Sequence, residues 1–317
     1  MKNSGLELWE MVVNRTKCPK EYIPDIDWTT GTLKELYERK MNMEKEYKFT
    51  PQVAFTNIKA HMKLWAEQTN AKNFVVGISG GKDSTVVAML LCAIFGSERV
   101  YGVMMPQHEQ SDLKDSMDVC DILGIHQTMV DIGDSVNAIT SQIWANRKTS
   151  GIYPTKDMEI NLPARIRMST LHAVGQCVDG RVINTSNLSE DMVGYATQFG
   201  DNAGSYAPIQ GLTVTEVKEL GKYLIDILGI DESKPLTRSM LVNLIDKTPV
   251  DGLQAQTDEE RLGFTYADLD KFIRLNEGTD EFKEMIKKKY KQNKFKLEIV
   301  QMPQPDFTYL PNFVKAD

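Results

Sequence analysis

The sequence contains little that would support a disulfide framework, a zinc site or a membrane anchor. Its 317 residues include four cysteines, Cys18, Cys92, Cys120 and Cys177, and no two of them form a C-x-x-C pair. No apolar run approaches the roughly 18 residues that read as a membrane-spanning helix, and the N-terminus lacks the basic-then-apolar order of a signal peptide. The net charge of −7 argues against a general nucleic-acid-binding protein. We therefore expect a cytoplasmic globular protein without nucleic-acid or membrane partners.

Helix-like and strand-like segments alternate along the chain from residue 51 onward. Apolar residues at helical spacing, or helix start and stop signals, mark residues 51–70, 82–95, 112–125, 161–178 and 212–230. Short β-compatible runs lie between them at residues 73–79, 98–106, 126–133 and 180–186. This alternation predicts an α/β fold, a parallel sheet with helices on both faces. Ligands of such sheets bind outside the carboxyl ends of the strands, so the residues after each strand are the functional candidates.

The segment SGGKDS, residues 79–84, follows the first predicted strand and opens the next predicted helix. Two glycines allow a tight turn and the close approach of a phosphate, and a helix N-terminus favours an anion. The segment is not a Walker A loop, because Val76 occupies the first glycine position and Asp83 follows Lys82. The pattern G-x-G-x-x-G is also absent. A simple turn is the alternative, but it does not explain why an acid, a base and two hydroxyls share one helix start.

The pattern S-G-G-x-D-S resembles the pyrophosphate loop of the N-type ATP pyrophosphatases. The resemblance implies that the loop binds the β- and γ-phosphates of ATP, and that ATP is split into AMP and pyrophosphate through an adenylated intermediate. It does not identify the substrate that becomes adenylated. The resemblance assigns nucleotide contacts to Gly77, Ile78, Ser79, Gly80, Gly81, Lys82, Asp83 and Ser84.

A second stretch, RVINTSNLSEDMVGYATQFGDNAGSYAP at residues 181–208, narrows the resemblance to one family. It is similar to NAD synthetases, and in particular to the synthetase domain of the glutamine-dependent ones. Three further stretches agree with that family: NLPARIRMSTL, DKTPVDGLQAQTDEERLGFTYADLDKF and FKLEIVQMP. The resemblance spans about residues 52–305. We therefore expect an adenine nucleotide alpha-hydrolase-like, Rossmann-like domain at residues 51–305, an N-terminal extension of unknown role at 1–50 and a tail at 306–317.

The resemblance implies a ligase that amidates deamido-NAD (nicotinic acid adenine dinucleotide) with ammonia to give NAD. Asp83 and Glu190 would hold Mg²⁺ between phosphate oxygens, a task suited to carboxylates, and Lys82 would join them as a catalytic group. Thr185, which follows the fourth predicted strand, would contact ATP. The alternative for Glu190 is a solvated acid at the start of a helix.

The resemblance also implies a set of residues that bind the dinucleotide substrate. For Arg165, a surface salt bridge is the alternative. The set consists of Asn161, Arg165, Gln198, Asp201, Phe295 and Lys296.

Departures from the family pattern leave the substrate open. A lysine that contacts ATP is expected at Val214, and a serine or threonine at Val250. Their loss could weaken ATP binding, could be compensated by the lysines of residues 287–294, or could mark a changed substrate. The alternatives to NAD synthesis are therefore a related adenylating amide ligase for another carboxylate and a non-catalytic nucleotide-binding homologue.

Three expectations concern assembly, nitrogen source and motion. The residues before the synthetase-like region are too few for a nitrilase-type glutaminase, so we expect free ammonia, or ammonia from a separate protein, as nitrogen donor. By analogy with the family we expect a homodimer. We also expect residues 246–263 to form a mobile lid, because the segment has no strong apolar periodicity.

Overall fold

The computed structural model describes residues 47–108, 113–230, 235–247 and 257–297. All of these except Tyr47 belong to one compact unit, Lys48–Asp317. The predicted tail lies outside the described residues, and so does the predicted N-terminal extension apart from residues 47–50.

Four parallel strands form the sheet in the order β3-β2-β1-β4. Val75 of the central strand pairs with Tyr101 on one side and with Val182 on the other. Val75 and Val76 are fully buried, as expected for a parallel sheet covered by helices. The strands are β1 (Asn73–Gly77), β2 (Val100–Met104), β3 (His126–Met129) and β4 (Gly180–Val182).

Helices surround this sheet, which confirms the predicted α/β class. The described part contains α1 (Pro51–Gln68), α2 (Lys82–Phe95), α3 (Leu113–Leu123), α4 (Gly133–Ser150), α5 (Lys156–Cys177), α6 (Leu188–Val193), α7 (Val214–Ile227), α8 (Pro235–Asp246), α9 (Asp258–Leu262), α10 (Tyr266–Leu275) and α11 (Asp280–Asn293). Short 3₁₀ turns occupy Ser97–Arg99 and Lys294–Leu297. In the described ranges, no helix combines the length and apolar character needed to cross a bilayer.

The main core lies where α2 packs against the sheet and against α7. Leu220 and Leu224 of α7 are fully buried, as its apolar periodicity predicts. The predicted capping box at Thr213 and Glu216 is present at the start of α7. A Cβ atom on Gly221 would lie 2.7 Å from a methyl carbon of Val86, so glycine is what allows the two helices to approach so closely.

Several helices, α8 among them, were not predicted from the sequence, and α4 and α5 show why. Helix α4 was not predicted, because it buries only Gly133 and Val136 and therefore carries no clear apolar stripe. Helix α5 begins at Lys156 rather than near residue 161, and it keeps Pro163 in its interior. The side chain of Thr155 caps α5 by accepting a hydrogen bond from the Met158 N–H, and this cap fixes the earlier start.

The segment predicted as a lid is partly helical. Thr257 and Glu260 form a capping box at the start of α9, and Gly263 ends that helix in a left-handed conformation at φ 81°. The segment predicted as a mobile lid therefore includes a short helix, and its mobility stays a prediction. Residues 248–256 lie outside the described ranges.

Candidate active site

The glycine loop connects β1 to α2 and leaves the start of that helix without a side-chain cap at Gly81. Gly80 adopts φ 76°, a conformation that favours glycine. The hydroxyl groups of Ser79 and Ser84 lie 3.1 Å apart, and the Ser84 hydroxyl also donates to the Gly81 carbonyl at 3.2 Å. The loop is therefore closed by its own serines, and the first N–H groups of α2 can serve an anion.

Asp83 links this loop to α6. The ammonium of Lys82, only 4% exposed, donates to Asp83 Oδ2 at 2.8 Å. The side-chain amide of Asn187 donates to Asp83 Oδ1 at 3.1 Å, while the Asn187 oxygen caps α6 by accepting from the Glu190 N–H. Asn187 thus sets the distance between the two helix starts that carry the predicted metal ligands.

Glu190 lies beside Asp83 in a desolvated environment. Burial raises the pKa of the Glu190 carboxyl well above its usual range, and the neighbouring Asp83 carboxylate raises it further. Lys82 acts in the opposite direction, and its own pKa remains raised because the nearby acids outweigh the effect of its burial. A freely solvated acid, the alternative for Glu190, does not fit this environment.

Two residues that received no role from the sequence complete the cluster. Asp258, at the start of α9, is buried and accepts a hydrogen bond from the Tyr195 hydroxyl at 2.8 Å. Tyr266, at the start of α10, is 3% exposed, and the centroid of its ring lies 5.6 Å from the Lys82 ammonium. The sequence signal was the stretch QTDEERLGFTY, which contains both residues.

The charges of this cluster suit a divalent cation that arrives with phosphate. Asp83, Glu190 and Asp258 are three acids that act on the ammonium of Lys82. Across the described ranges, no three His, Cys, Asp or Glu side chains form a metal-binding group. Mg²⁺ commonly uses one or two protein carboxylates and completes its shell with phosphate oxygens and water. The donor set of Asp83 and Glu190 fits that arrangement.

The predicted dinucleotide-binding residues form a second group around the segment that follows α6. The Thr197 hydroxyl donates to Asn161 Oδ1 at 2.8 Å, and the Thr197 N–H donates to Asp201 Oδ1 at 2.6 Å. Asn161 and Asp201 are thus brought together by a residue that the sequence interpretation did not single out.

The remaining members of this group meet the C-terminal 3₁₀ turn. The Arg165 guanidinium donates to the Gln198 carbonyl at 3.3 Å, and the Gln198 amide donates to the Phe295 carbonyl at 3.3 Å. The Asn202 amide donates to the Lys296 carbonyl at 2.8 Å. Burial lowers the pKa of Lys296. Arg165 is therefore bonded to a backbone carbonyl, and within the described ranges it forms no salt bridge.

Val214 and the lysines of residues 287–294 lie on α7 and on α11 with its following turn. Val214, where the family pattern predicts a lysine, is buried beside Tyr266, and its N–H donates to the Ser189 hydroxyl at 3.0 Å. The lysines proposed as compensation lie on α11 and the following turn, and Lys287 pairs with Glu284 at 2.8 Å on the exposed face. Thr185, which follows β4, is half-buried, and its contact with ATP stays a prediction.

Residues 54–306 match the NAD synthase family. The chain belongs to this family. It is 35% identical to the NH₃-dependent NAD⁺ synthetase of Thermococcus kodakarensis over 221 residues, which cover 69% of this chain and 79% of that relative. It is 34% identical to the corresponding enzyme of Alkaliphilus metalliredigens over 235 residues, 72% of this chain and 89% of the relative.

Solved structures agree with this assignment. NMN synthetase from Francisella tularensis superposes with a TM-score of 0.69 and 27% identity, covering 81% of this chain and all of that one. The glutamine-dependent NAD⁺ synthetase from Acinetobacter baumannii shares the fold, with a TM-score of 0.56 over 81% of this chain and 47% of its own. The predicted family, fold and enzyme class are therefore confirmed, and the family implies ATP as co-substrate.

Proposed function

We propose that the protein is an ammonia-dependent NAD synthetase. The observation that carries the proposal is the convergence of Asp83 and Glu190 beside the glycine loop, in a chain of the NAD synthase family. A nucleotide sensor would not need two half-buried carboxylates next to its phosphate site, because their mutual repulsion costs stability unless a cation compensates. Mg²⁺ is the cation that we propose, and it would neutralise charge on the phosphate oxygens.

In the proposed reaction a carboxylate oxygen of deamido-NAD attacks the α-phosphorus of ATP, and pyrophosphate leaves. Ammonia then attacks the acyl carbon, AMP leaves, and one proton is lost from nitrogen to give the amide. The loop N–H groups and Ser84 would hold the leaving pyrophosphate, while Lys82 and Asn187 would fix the orientation of Asp83. Holding two anions together in this way lowers the barrier by positioning and by charge stabilisation.

The group formed by Asn161, Asp201, Arg165, Gln198, Phe295 and Lys296 would bind the dinucleotide, and Thr185 would contact ATP. In support, Thr197 joins Asn161 to Asp201, and hydrogen bonds connect the segment after α6 to the C-terminal turn. We propose a catalytic unit of residues 51–305, and a cytoplasmic location remains a prediction.

A product assay by mass spectrometry tests this proposal. The purified chain is incubated with deamido-NAD, ATP, Mg²⁺ and ammonium, and NAD, AMP and pyrophosphate are quantified. We expect the three products in equal amounts, and we expect glutamine alone to support no amidation. Because NH₃ rather than NH₄⁺ is the nucleophile, the rate at subsaturating ammonium should rise with pH above neutrality. Efficient use of glutamine would contradict the proposed nitrogen source.

A second candidate is amidation of the mononucleotide to give NMN. It is favoured by the TM-score of 0.69 to an NMN synthetase, and it fits the departures from the family pattern that leave the substrate open. The two carboxylates share the chemistry of the reacting end and differ in the adenylate half. Parallel assays with each substrate decide between them through the ratio of the two kcat/KM values.

We propose that the protein forms a homodimer through the outer surface of α4. Four large apolar side chains on and after this helix, Ile139, Trp144, Ile152 and Tyr153, are 39–62% exposed. Exposed apolar clusters of this kind mark interaction surfaces. Light scattering should give twice the chain mass for the wild type and a smaller mass for Trp144→Glu. A wild-type monomer at assay concentration would refute the dimer.

A further inference from the structure

Tyr266 buries a hydroxyl group that has no hydrogen-bond partner within the described part of the chain. The residue is 3% exposed and belongs to the apolar cluster of Val193, Val214, Leu269 and Ile286. Its Oη atom is one of the few buried side-chain polar atoms left unpaired there. A buried hydroxyl without a partner costs free energy, so its retention requires a reason.

The chemistry around this hydroxyl indicates which kind of hydrogen-bond partner it needs. A tyrosine hydroxyl is protonated at neutral pH and can donate a hydrogen bond. Asp83 already accepts from Lys82 and Asn187. The hydroxyl therefore needs an acceptor that the described protein groups do not provide.

The position of the ring indicates where that acceptor comes from. Lys82 is the residue that follows the glycine loop, and its ammonium lies 5.6 Å from the Tyr266 ring centroid. The backbone N–H of Tyr266 donates to Glu259 of α9 at 2.8 Å, which fixes the start of α10. The Tyr266 ring thus lies beside Lys82, in the segment at which the phosphates of ATP are proposed to bind.

We infer that Tyr266 is a phosphate-binding residue: its hydroxyl donates to a phosphate oxygen of ATP, at the end that leaves as pyrophosphate. This inference rests on the proposed function. Under this inference the Tyr266 hydroxyl is a neutral hydrogen-bond donor to ATP, in a chain that has Val214 where the family pattern predicts a lysine. A polyanion bound there would accept from the Tyr266 hydroxyl and from the loop N–H groups together.

The substitution Tyr266→Phe tests the inference because it removes the hydroxyl and keeps the ring. Calorimetric titrations of the purified protein with MgATP and with magnesium pyrophosphate measure affinity, and thermal unfolding measures stability. Affinity for both ligands should fall about tenfold or more, as expected for a lost hydrogen bond to a charged group. The unliganded thermal midpoint should be unchanged or higher, because the variant no longer buries an unpaired hydroxyl.

Two other tyrosines provide controls. Tyr223→Phe, where the ring packs 6.0 Å from that of Phe55, should change neither affinity nor midpoint. Tyr195→Phe removes a hydroxyl that donates to Asp258 and should lower the midpoint. In steady-state assays Tyr266→Phe should raise the KM for ATP and leave the KM for ammonia unchanged.

Wild-type affinity in Tyr266→Phe, or a midpoint that falls as in Tyr195→Phe, would overturn the inference. The second result would show that the hydroxyl serves the fold. If the wild type itself binds neither MgATP nor magnesium pyrophosphate, the proposed function fails and the inference fails with it. The wild-type titration therefore distinguishes the two failures.

Discussion

Helices α6 and α10 pack against each other, and their polar side chains form two groups. The two groups differ in how well their hydrogen bonds and charges are satisfied. On one side, Asp270 accepts from the Ser189 hydroxyl at 2.5 Å and from the N–H and hydroxyl of Thr215 at 2.7 and 2.6 Å. On the other side, one residue along α6 and one turn back along α10, Glu190 has a raised pKa and Tyr266 has an unpaired hydroxyl.

The difference separates a structural network from a binding site. The Asp270 carboxylate is buried, and both of its oxygens have donors, so it joins α6, α7 and α10 at little electrostatic cost. On the other side, the acids around Glu190 outweigh the help that Lys82 gives it, and the Tyr266 hydroxyl has no partner among the described residues. Both conditions cost stability unless a ligand compensates them. We therefore expect substitutions on the first side to affect stability and those on the second side to affect activity.

The largest effect on the binding side is expected for Asp83→Asn. The variant keeps the side-chain shape and an oxygen that can accept from Lys82, but it removes the charge that would hold Mg²⁺. Loss of several kcal/mol of charge stabilisation predicts a decrease in kcat of about a thousandfold. Thermal unfolding should show an intact fold, since Glu190 is relieved of a repulsive neighbour. Near-normal pyrophosphate release with an unchanged Mg²⁺ optimum would show that Asp83 only starts a helix.

In the structural network, Asp270→Asn should have the opposite effect: it should lower stability and leave activity nearly unchanged. The amide group would meet the three donors of Ser189 and Thr215, and we expect a loss of about 2–4 kcal/mol in the free energy of unfolding. Urea denaturation measures this loss, and kcat per folded molecule should remain within about threefold of wild type. An inactive but fully stable variant would place Asp270 in the active site and remove the contrast.

Limited proteolysis tests whether ligands protect α9, which carries Asp258, and the segment before it from cleavage. Trypsin can cleave after Lys247 and Arg261, which flank residues 248–256. ATP, Mg²⁺ and substrate together should slow these cuts about tenfold, because bound ligand lowers the population of opened molecules. Cleavage after the exposed Lys48 serves as control and should not change. Equal rates with and without ligands would contradict a closing lid.

The smallest change in stability or activity is expected for a substitution at the start of α7. Thr213→Ala removes one half of the capping box and should cost about 1 kcal/mol of stability without affecting kcat. The matched variant Thr257→Ala removes the same kind of box from the shorter helix α9, and it should cost less stability but more activity, because α9 carries Asp258. Urea denaturation and initial rates measure both. Equal stability losses with unchanged activity in both variants would mean that α9 is only a scaffold.

Much of the fold could be predicted because its elements carry local signals. The strand around Val75 is a continuous apolar run, and α7 combines an apolar face with a capping box. Helix α4 could not be predicted in this way, since most of its residues are exposed and its stability depends on contacts with α5. Its cap is also not a standard one, because Ile132 precedes the helix.

In the candidate site, too, residues in local motifs could be predicted from the sequence, and residues brought in by tertiary packing could not. Asp83 and Glu190 follow strands in recognisable motifs, so sequence alone pointed to them. Asp258 and Tyr266 join them from α9 and α10, far along the chain, and only tertiary packing brings them to Lys82. Their capping signals predict helix starts but not the cluster that those helix starts form.

The ion pair between Lys82 and Asp83 has a kinetic consequence for the proposed reaction. With Lys82 on one oxygen of Asp83 and Asn187 on the other, the resting pocket already contains its own counter-ion. A bare divalent cation would have to displace that lysine without help, whereas a cation already bound to ATP brings oxygen ligands of its own and a polyanion for the displaced ammonium to meet. The protein would therefore bind metal and nucleotide as one species, and ATP would set the order in which the pocket fills.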